Sequence, residues 1–194
     1  EIRVDGEVLP RQKLLYFAVH KPPGVVSTAR DPAGRPRVID LLPPNTPRLF
    51  PVGRLDASSE GLILVTNDGE LAQRLMHPRY RVEREYILEV PRGTSVSAAA
   101  ALGAGASIGP GRPCMPESCR PAGSSSVALV LTSGRYHEVR RLAEAVGVVL
   151  LGLERVRYGP VRLGRLQRRA LRELSHEEAA RLCRSVGLDA PDQA

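Results

Sequence analysis

The sequence predicts an α+β fold, because strand and helix patterns are mixed along it without a regular βαβ repeat. The chain has 194 residues, of which 42% are hydrophobic, so it can bury one core or two small subdomains that share an interface. Short apolar runs bounded by turn residues predict strands, and amphipathic segments between them predict helices. We find no internal repeat in the sequence.

Four elements are predicted in the first half of the chain. Pro22, Pro23 and Gly24 end the first strand. A turn at 67–69 leads into the helix, and Pro78 lies just beyond that helix. In chain order the elements are a strand over 14–21, a turn-rich loop over 31–37, a buried strand over 61–66 and a helix over 70–76.

The second half is predicted to contain three strands and three helices. Period-two spacing places Tyr86, Leu88 and Val90 on one strand face. Gly147 suits the position after a helix, and Ser175 begins a capping box. In chain order we predict a strand over 82–90, a helix over 95–102, a loop with at most one short strand over 103–126, a strand over 127–131, a helix over 137–146, a buried strand over 148–153 and a helix from 175 to about 186.

The chain is basic, with a formal net charge of +7 and a pI of about 9.9. Only Lys13 and Lys21 are lysines, so arginine carries almost all of the positive charge. Arginine binds phosphate in a bidentate manner and stacks on bases, so a nucleic-acid partner is one reading of this charge, and an arginine-rich but ordinary solvated surface is the other. The segment 155–172 holds seven arginines and no acidic residue, and we interpret it as a phosphate-binding face rather than a solvated basic rim.

Several site classes are disfavoured by the sequence. Cys114 and Cys119 are not followed by a second pair at zinc-like spacing, so no metal site is predicted. The odd cysteine count predicts a reducing cytosol, and no run approaches the ~20 apolar residues of a membrane span. Four histidines lack the spacing of a metal site or triad and are interpreted as structural: His20, His77, His137 and His176.

The segment 53–62 is the densest in candidate chemistry. Asp56 lies in a predicted loop beside Arg54 and just before a buried strand, and catalytic groups are common on loops held by rigid strands. Chemistry alone leaves a second reading open, in which Asp56 caps a turn and pairs with Arg54.

The segment Gly53–Asp56 is one of several motifs that occur in a fixed order. The others are Lys21–Thr28, Thr66–Ala72, Val82–Tyr86, Leu131–Arg141 and Gly159–Gly164. Together, from Leu15 to Leu174, they resemble the RsuA-type pseudouridine synthases, which modify ribosomal RNA. A series that covers nearly the whole chain is far more specific than one motif, and it favours the catalytic reading of Asp56.

The resemblance implies a fold with two ferredoxin-like subdomains around a mixed, largely antiparallel sheet, and an active-site cleft between them. It also implies a reaction in which a uridine base is detached from its ribose, turned over and rejoined through carbon. No cofactor and no metal are expected. The expected partner is a structured ribosomal RNA of the large subunit, and we expect a cytoplasmic monomer without membrane contact.

The resemblance also assigns roles to individual residues. Asp56 is the catalytic carboxylate, as nucleophile or base, and Arg140 pairs with it. Tyr86 would stack on the target uracil and move a proton, and Arg54 would fill the gap left by the extruded base. The residues expected to bind RNA are Arg54, Arg135, Arg141, Arg155, Arg157, Arg162, Arg165 and Arg168.

The sequence departs from the family pattern at a few positions. Glu138 stands where Gln is usual, and we expect it to bring negative charge near the RNA path. Leu142 replaces a usual Met, and Arg169 and Leu171 replace a usual Gly and aromatic residue. We expect residues 1–10 to be the tail of a small RNA-binding domain, 11–188 the catalytic domain and 189–194 a C-terminal tail.

Two other functions are compatible with parts of the sequence. A non-catalytic RNA-binding or ribosome-assembly protein would need the basic face but not the pair of Asp56 and Arg140. A metal-dependent nuclease would need four carboxylates to converge on hard cations, namely Asp56, Glu60, Asp68 and Glu70.

Overall fold

The computed structural model describes the backbone of residues 3–4 and 7–8 and the whole of residues 13–191. Eleven strands occur in these ranges. They are β1 (Arg3–Val4), β2 (Glu7–Val8), β3 (Tyr16–Lys21), β4 (Phe50–Val52), β5 (Glu60–Thr66), β6 (Arg84–Glu89), β7 (Ser118–Pro121), β8 (Ser126–Leu131), β9 (Gly152–Tyr158), β10 (Val161–Arg162) and β11 (Leu171–Glu173).

Four α-helices complete the described part of the chain, together with two 3-10 turns at Val38–Leu41 and Pro78–Tyr80. The helices are α1 (Gly69–Met76), α2 (Ser95–Gly103), α3 (Glu138–Ala145) and α4 (His176–Arg184). Asp68 caps α1 by accepting the Leu71 N–H, and Ser175 and Glu178 form the predicted capping box of α4.

The main sheet has the strand order β11-β3-β5-β9-β6-β8-β7, with β4 beside β5 and β10 beside β9. Among these described strands, β5 and β9 pair in parallel, and the other pairs are antiparallel. The parallel pair therefore joins two antiparallel groups of strands, one on each side. This mixed, largely antiparallel sheet with four helices confirms the predicted α+β class.

The sheet is covered on both faces. Alternate residues of β5 show this: Leu62 and Leu64 belong to one buried cluster, with α1 and α4, whereas Ile63 and Val65 belong to another, with α2 and α3. The predicted shared face of Tyr86, Leu88 and Val90 is confirmed, because all three lie in the second cluster.

The predicted strand over 148–153 is wrong. The strand runs over Gly152–Tyr158 instead, because its hydrogen-bonding partner β6 is aligned with that stretch. Val149 and Leu151, which the apolar run placed in the core, are each 60% exposed.

The expected domain limits are only partly covered by the description. Most of 1–10 and the end of the expected tail, 192–194, lie outside the described residues. In the part that is described, no helix combines the length and the apolar character that crossing a membrane would require.

Candidate active site

Asp56 lies in the loop between β4 and β5, at the start of the strand that joins the two halves of the sheet. The segment after β3 fixes this loop. The Gly24 N–H donates to the Ala57 carbonyl at 2.7 Å. The Ser27 hydroxyl donates to the Leu55 carbonyl at 2.9 Å and accepts from the Leu55 N–H at 3.0 Å. The backbone around Asp56 is thus held from both sides, while the Asp56 side chain is 24% exposed.

Two side chains from the start of α3 approach the two oxygens of the Asp56 carboxylate. Nε2 of His137 lies 3.2 Å from Oδ1, and Nε of Arg140 lies 3.4 Å from Oδ2. The same guanidinium donates through Nη2 to the buried Ser59 hydroxyl at 3.1 Å. These two contacts fix the orientation of the Asp56 carboxylate, as a nucleophile or a base requires.

The backbone of His137 explains how both side chains reach Asp56. His137 has a φ of 51°, in the left-handed region, and it occupies the position just before α3. Arg140 follows three residues later and so lies on the same side of the helix. The His137 ring is stacked on Tyr136, with ring centroids 3.8 Å apart and planes 16° apart.

A buried lysine lies beneath the loop. Lys21, at the end of β3, has no exposed surface. Its Nζ donates to the carbonyls of Pro22, Val25 and Ala57 at 2.9, 2.8 and 3.4 Å. Burial lowers the pKa of Lys21 to about 8, although the Asp56 carboxylate opposes this shift. Lys21 therefore ties the end of β3 to the Asp56 loop and adds a titratable cation beside the site.

Asp56 and Tyr86 line a common cavity of about 350 Å³. This volume falls within the range of roughly 300–1,000 Å³ that is typical of small-molecule sites. Leu55, Val139 and Leu153 supply apolar wall, and Tyr86 reaches the cavity from β6 with 9% of its surface exposed. The cavity thus places the Asp56 carboxylate beside walls suited to a flat, weakly polar ring.

Two buried guanidinium groups also line this cavity, and both lie over the ring of Tyr158. Cζ of Arg84 is 4.8 Å and Cζ of Arg155 is 5.0 Å from the ring centroid. Arg84 also donates to the Tyr158 hydroxyl at 3.0 Å. Arg155 donates through Nε to the Leu62 carbonyl at 2.7 Å, and its buried Nη2 has no hydrogen-bond partner among the described residues.

Residues 15–145 match the family model described as RNA pseudouridylate synthase. The chain belongs to this family.

Relatives and a solved structure agree with the family. An uncharacterized RNA pseudouridine synthase of Mycobacterium tuberculosis is 39% identical in an alignment that covers 96% of this chain and 76% of that protein. A ribosomal large subunit pseudouridine synthase B of Bacillus subtilis is 34% identical over 187 residues, 94% of this chain and 77% of that protein. A crystal structure of a pseudouridylate synthase is similar with a TM-score of 0.79 and 28% identity, over 89% of this chain and 75% of that one.

Within this pseudouridine synthase fold, the structure brings together the three residues that the motifs singled out. Asp56 and Tyr86 line one cavity, and Arg140 contacts the Asp56 carboxylate. His137 and Lys21 were missed as site residues. His137 was interpreted as structural, because a search for spacing between histidines cannot detect a contact with a distant Asp. Lys21 begins the motif Lys21–Thr28, and it is one of only two lysines in the chain. This rarity was the feature of the sequence that could have pointed to it.

The predicted RNA-binding arginines fall into different environments. Arg54 and Arg135 line the cavity, and Arg54 is exposed. Arg135 donates to the Arg112 carbonyl at 2.6 Å, which orients its side chain. Arg141 is half-buried on α3.

Two of those arginines do not belong to an exposed phosphate-binding face, so that prediction is wrong for them. Arg155 is 1% exposed. The side chain of Arg157 is 15% exposed and pairs with Glu83 and Glu85 at 2.9 Å each. The acidic partners come from β6 and the residue before it. A count of charges within 155–172 therefore does not include them.

The remaining arginines of that run are more accessible. Arg168 is exposed but pairs with Glu60 at 2.6 Å. The exposed Arg162 lies 3.8 Å from Glu85, and Arg165 is exposed. The run is therefore not one uniform basic face.

Glu138, which was expected to bring negative charge near the RNA path, lines the cavity but is largely buried. It is 5% exposed. Its carboxylate accepts the Ser133 hydroxyl at 2.6 Å and the Arg135 N–H at 3.2 Å. Glu138 therefore closes the loop that precedes α3.

The four carboxylates of the nuclease alternative do not form one cluster. Glu60 pairs with Arg168. Asp68 caps α1 and accepts the Tyr16 hydroxyl at 2.9 Å, and Glu70 pairs with Arg74. Within residues 13–191, no group of three or more potential metal-ligating side chains is found.

Proposed function

We propose that this chain converts a uridine of large-subunit ribosomal RNA to pseudouridine, with Asp56 as the reactive carboxylate. The observation that carries the proposal is the Asp56 carboxylate, contacted by His137 and Arg140, in the wall of a cavity that Tyr86 also lines. The choice of the large subunit rests on the names of relatives such as the Bacillus subtilis protein.

The reaction is an isomerisation, so its atoms balance within the substrate. The bond between N1 of uracil and C1′ of ribose breaks, and a bond between C5 and C1′ forms. The proton lost from C5 is matched by the proton gained at N1. Asp56 would serve as nucleophile or as base, and Arg140 and His137 would hold its carboxylate in position.

The cavity walls suit a base that must stay bound after it is detached. Tyr86 would stack on the uracil ring, and its hydroxyl would move a proton. Leu55, Val139 and Leu153 would limit access of water to the cleaved sugar. A retained, shielded base can turn over and rejoin, whereas a released base would leave an abasic RNA.

Arg54 would support an extruded uridine. It is exposed at the edge of the cavity and directly precedes the Leu55–Asp56 segment. Flipping a base costs a few kcal/mol, and a guanidinium that stacks in the vacated position offsets part of that cost. Arg135, Arg141, Arg162 and Arg165 would contact the RNA backbone, and we propose a cytoplasmic monomer that acts on a structured subunit RNA.

Mapping of pseudouridine in ribosomal RNA tests this proposal. RNA from cells with the protein, without it, and with the Asp56→Asn variant would be compared position by position. We expect one uridine of the large-subunit RNA to lose its modification without the protein and to stay unmodified with the variant. If every ribosomal pseudouridine persists without the protein, the proposed substrate is wrong.

A further inference from the structure

A second cavity, of about 430 Å³, meets the first one at the Asp56 loop. Both cavities are lined by Arg54, Leu55, Asp56, Tyr136 and His137. The remaining wall of the second cavity comes from the segment after β3, over 26–31, together with Arg35 and Ala57. A polymer whose target unit occupies the first cavity therefore has a second compartment directly beside the reactive carboxylate.

The wall shared by the two cavities carries an exposed aromatic ring. Tyr136 is 65% exposed, although its ring is already stacked on His137. An exposed ring held flat by a second ring is a rigid platform, and stacking of a base on an aromatic side chain is a principal means of binding single-stranded nucleic acid. The platform is thus suited to a nucleobase of any identity.

Two cations of the second cavity are free to meet a phosphate. Arg30 and Arg54 line it, both are exposed, and neither has an acidic partner among the described residues. Arg35, which also lines it, is by contrast engaged with Asp31 at 2.6 Å. Arginine contacts to phosphate position a nucleic acid without reading its sequence.

We propose that the second cavity binds the nucleotide next to the target uridine, with its base stacked on Tyr136 and its phosphate near Arg30. The inference rests on the proposed function, because it needs a uridine in the first cavity. It follows that the target and one neighbour are both unpaired when bound, since a base stacked on Tyr136 is separated from its strand. The chain would therefore recognise a loop, a bulge or a locally opened helix.

Fluorescence tests the stacking directly. The probes are short single-stranded RNAs with a central uridine and 2-aminopurine, whose emission falls on stacking, on its 5′ or its 3′ side. All titrations use the Asp56→Asn protein, so that no turnover occurs, either alone or with Tyr136→Phe or Tyr136→Ala added. We expect one probe to be quenched at saturation when Tyr136 is kept or changed by Tyr136→Phe, and to be brighter with Tyr136→Ala. Equal emission with all three proteins for both probes would overturn the proposal.

Loss of the Tyr136 ring could also weaken binding indirectly, by displacing His137. A thermodynamic cycle on the ribosomal RNA fragment found by mapping separates this indirect effect from loss of stacking. KM and kcat are measured for the wild type and Tyr136→Ala, each with an intact RNA and with an RNA that lacks the neighbouring base. With the intact RNA, Tyr136→Ala should raise KM on the order of 10-fold, because stacking is worth about 1–3 kcal/mol per base. With the abasic RNA that penalty should vanish, since the ring has no base to contact.

The two arms separate the possible failures. An equal KM penalty on the intact RNA and on RNAs that are abasic at either flank would show that Tyr136 acts only through His137, and the subsite would be wrong while the proposed function stands. A fluorescence pattern as expected without any conversion of uridine would leave the subsite standing and would reject the proposed function.

Discussion

The contacts of Asp56 are partly open to solvent. The side chain of Arg140 is 32% exposed and that of His137 is 39% exposed. Ion pairs in such surroundings contribute little to stability, because water screens them. We therefore expect these residues to matter for the position and charge of the carboxylate more than for the folding of the chain.

Replacement of Arg140 by Met tests this view at the scale of one residue. Arg140→Met removes the contact to Asp56 and the hydrogen bond to Ser59, so the carboxylate loses its orientation. We expect kcat to fall about 100-fold, the cost of a misplacement of about 1 Å. The free energy of unfolding should change by less than about 1 kcal/mol.

Arg141→Met is the matched control, because it removes the same charge from the next position of α3. It should raise KM by a few-fold at similar kcat, as loss of a backbone contact would. Equal effects of the two variants on kcat would show that Arg140 has no special relation to Asp56.

Lys21 should make the stability of the chain depend on pH. Its pKa in the folded chain is lowered to about 8 from 10.5, chiefly by burial. Below pH 8 the lysine is charged in the folded and in the unfolded chain. Between pH 8 and pH 10.5, mainly the unfolded chain keeps this proton. Stability therefore rises with pH across this window, because the unfolded state binds more protons there.

Denaturation of the wild type and of Lys21→Met across this window measures the effect. The difference in unfolding free energy should move in favour of the wild type as pH rises from about 8 to about 10.5. Other groups that titrate in the window are common to both proteins and cancel. A difference that stays flat would mean that Lys21 is not a depressed cation in the folded chain.

Sequence patterns singled out Asp56, Tyr86 and Arg140, which the structure brings together, because each belongs to a motif with a fixed local order. They could not identify the contact of His137 with Asp56, which joins positions far apart in the chain. They also could not identify Arg155 as buried, since the ring of Tyr158 and the carbonyl of Leu62 become its neighbours only when the sheet forms.

At the scale of elements, the join between β5 and β9 is narrow. The parallel register covers Glu60 with Glu154 and Gly61 with Arg155. Gly61 has a φ of +109°, and a Cβ there would lie 2.3 Å from the Arg155 carbonyl oxygen. A glycine is therefore required for the two halves of the sheet to approach each other beside the Asp56 loop.

Gly61→Ala should cost at least about 3 kcal/mol of stability, from backbone strain and from the clash with Arg155. Gly147→Ala is the control, because Gly147 also has a positive φ of +72° but nothing lies within 4 Å of its added Cβ. The control should lose only about 1–2 kcal/mol. Equal losses in urea denaturation would show that the β5 to β9 approach is looser than described.

Most elements were predictable because their turns and caps are local. The capping box at Ser175 and the glycine after α3 lie where the sequence placed them, and Asp68, in the predicted turn over 67–69, caps α1. The last predicted strand was shifted, because the register with β6 begins at Gly152 and not at the start of the apolar run over 148–151. The register between strands that are distant in the chain cannot be predicted from a short stretch of sequence.

At the scale of the whole molecule, the net charge of +7 is unevenly available to RNA. Arg157 is neutralised by Glu83 and Glu85, whereas Arg165 is exposed and has no acidic partner among the described residues. Only the second kind of arginine can release condensed counterions when it meets a phosphate.

Salt titrations of RNA binding distinguish the two kinds. Arg165→Met should lower the slope of log K against log salt by about 0.7–0.9, the value for one phosphate contact. Arg157→Met should leave the slope unchanged and should lower stability, because it leaves two acids of β6 and its flank without their partner. If Arg157→Met changed the slope and Arg165→Met did not, the RNA would contact β9 near Arg157 and not the surface around Arg165.

The role of Asp56 as the reactive carboxylate is tested most directly by the conversion of uridine under single-turnover conditions. The purified chain would act on the ribosomal RNA fragment identified by mapping. Asp56→Asn removes the charge at nearly constant shape, and Asp40→Asn is the control, since Asp40 is an exposed partner of Arg37. The account predicts conversion by the wild type and the control and none by Asp56→Asn, with RNA binding within a few-fold in all three. Measurable pseudouridine formation by Asp56→Asn, free of contaminating enzyme, would contradict it.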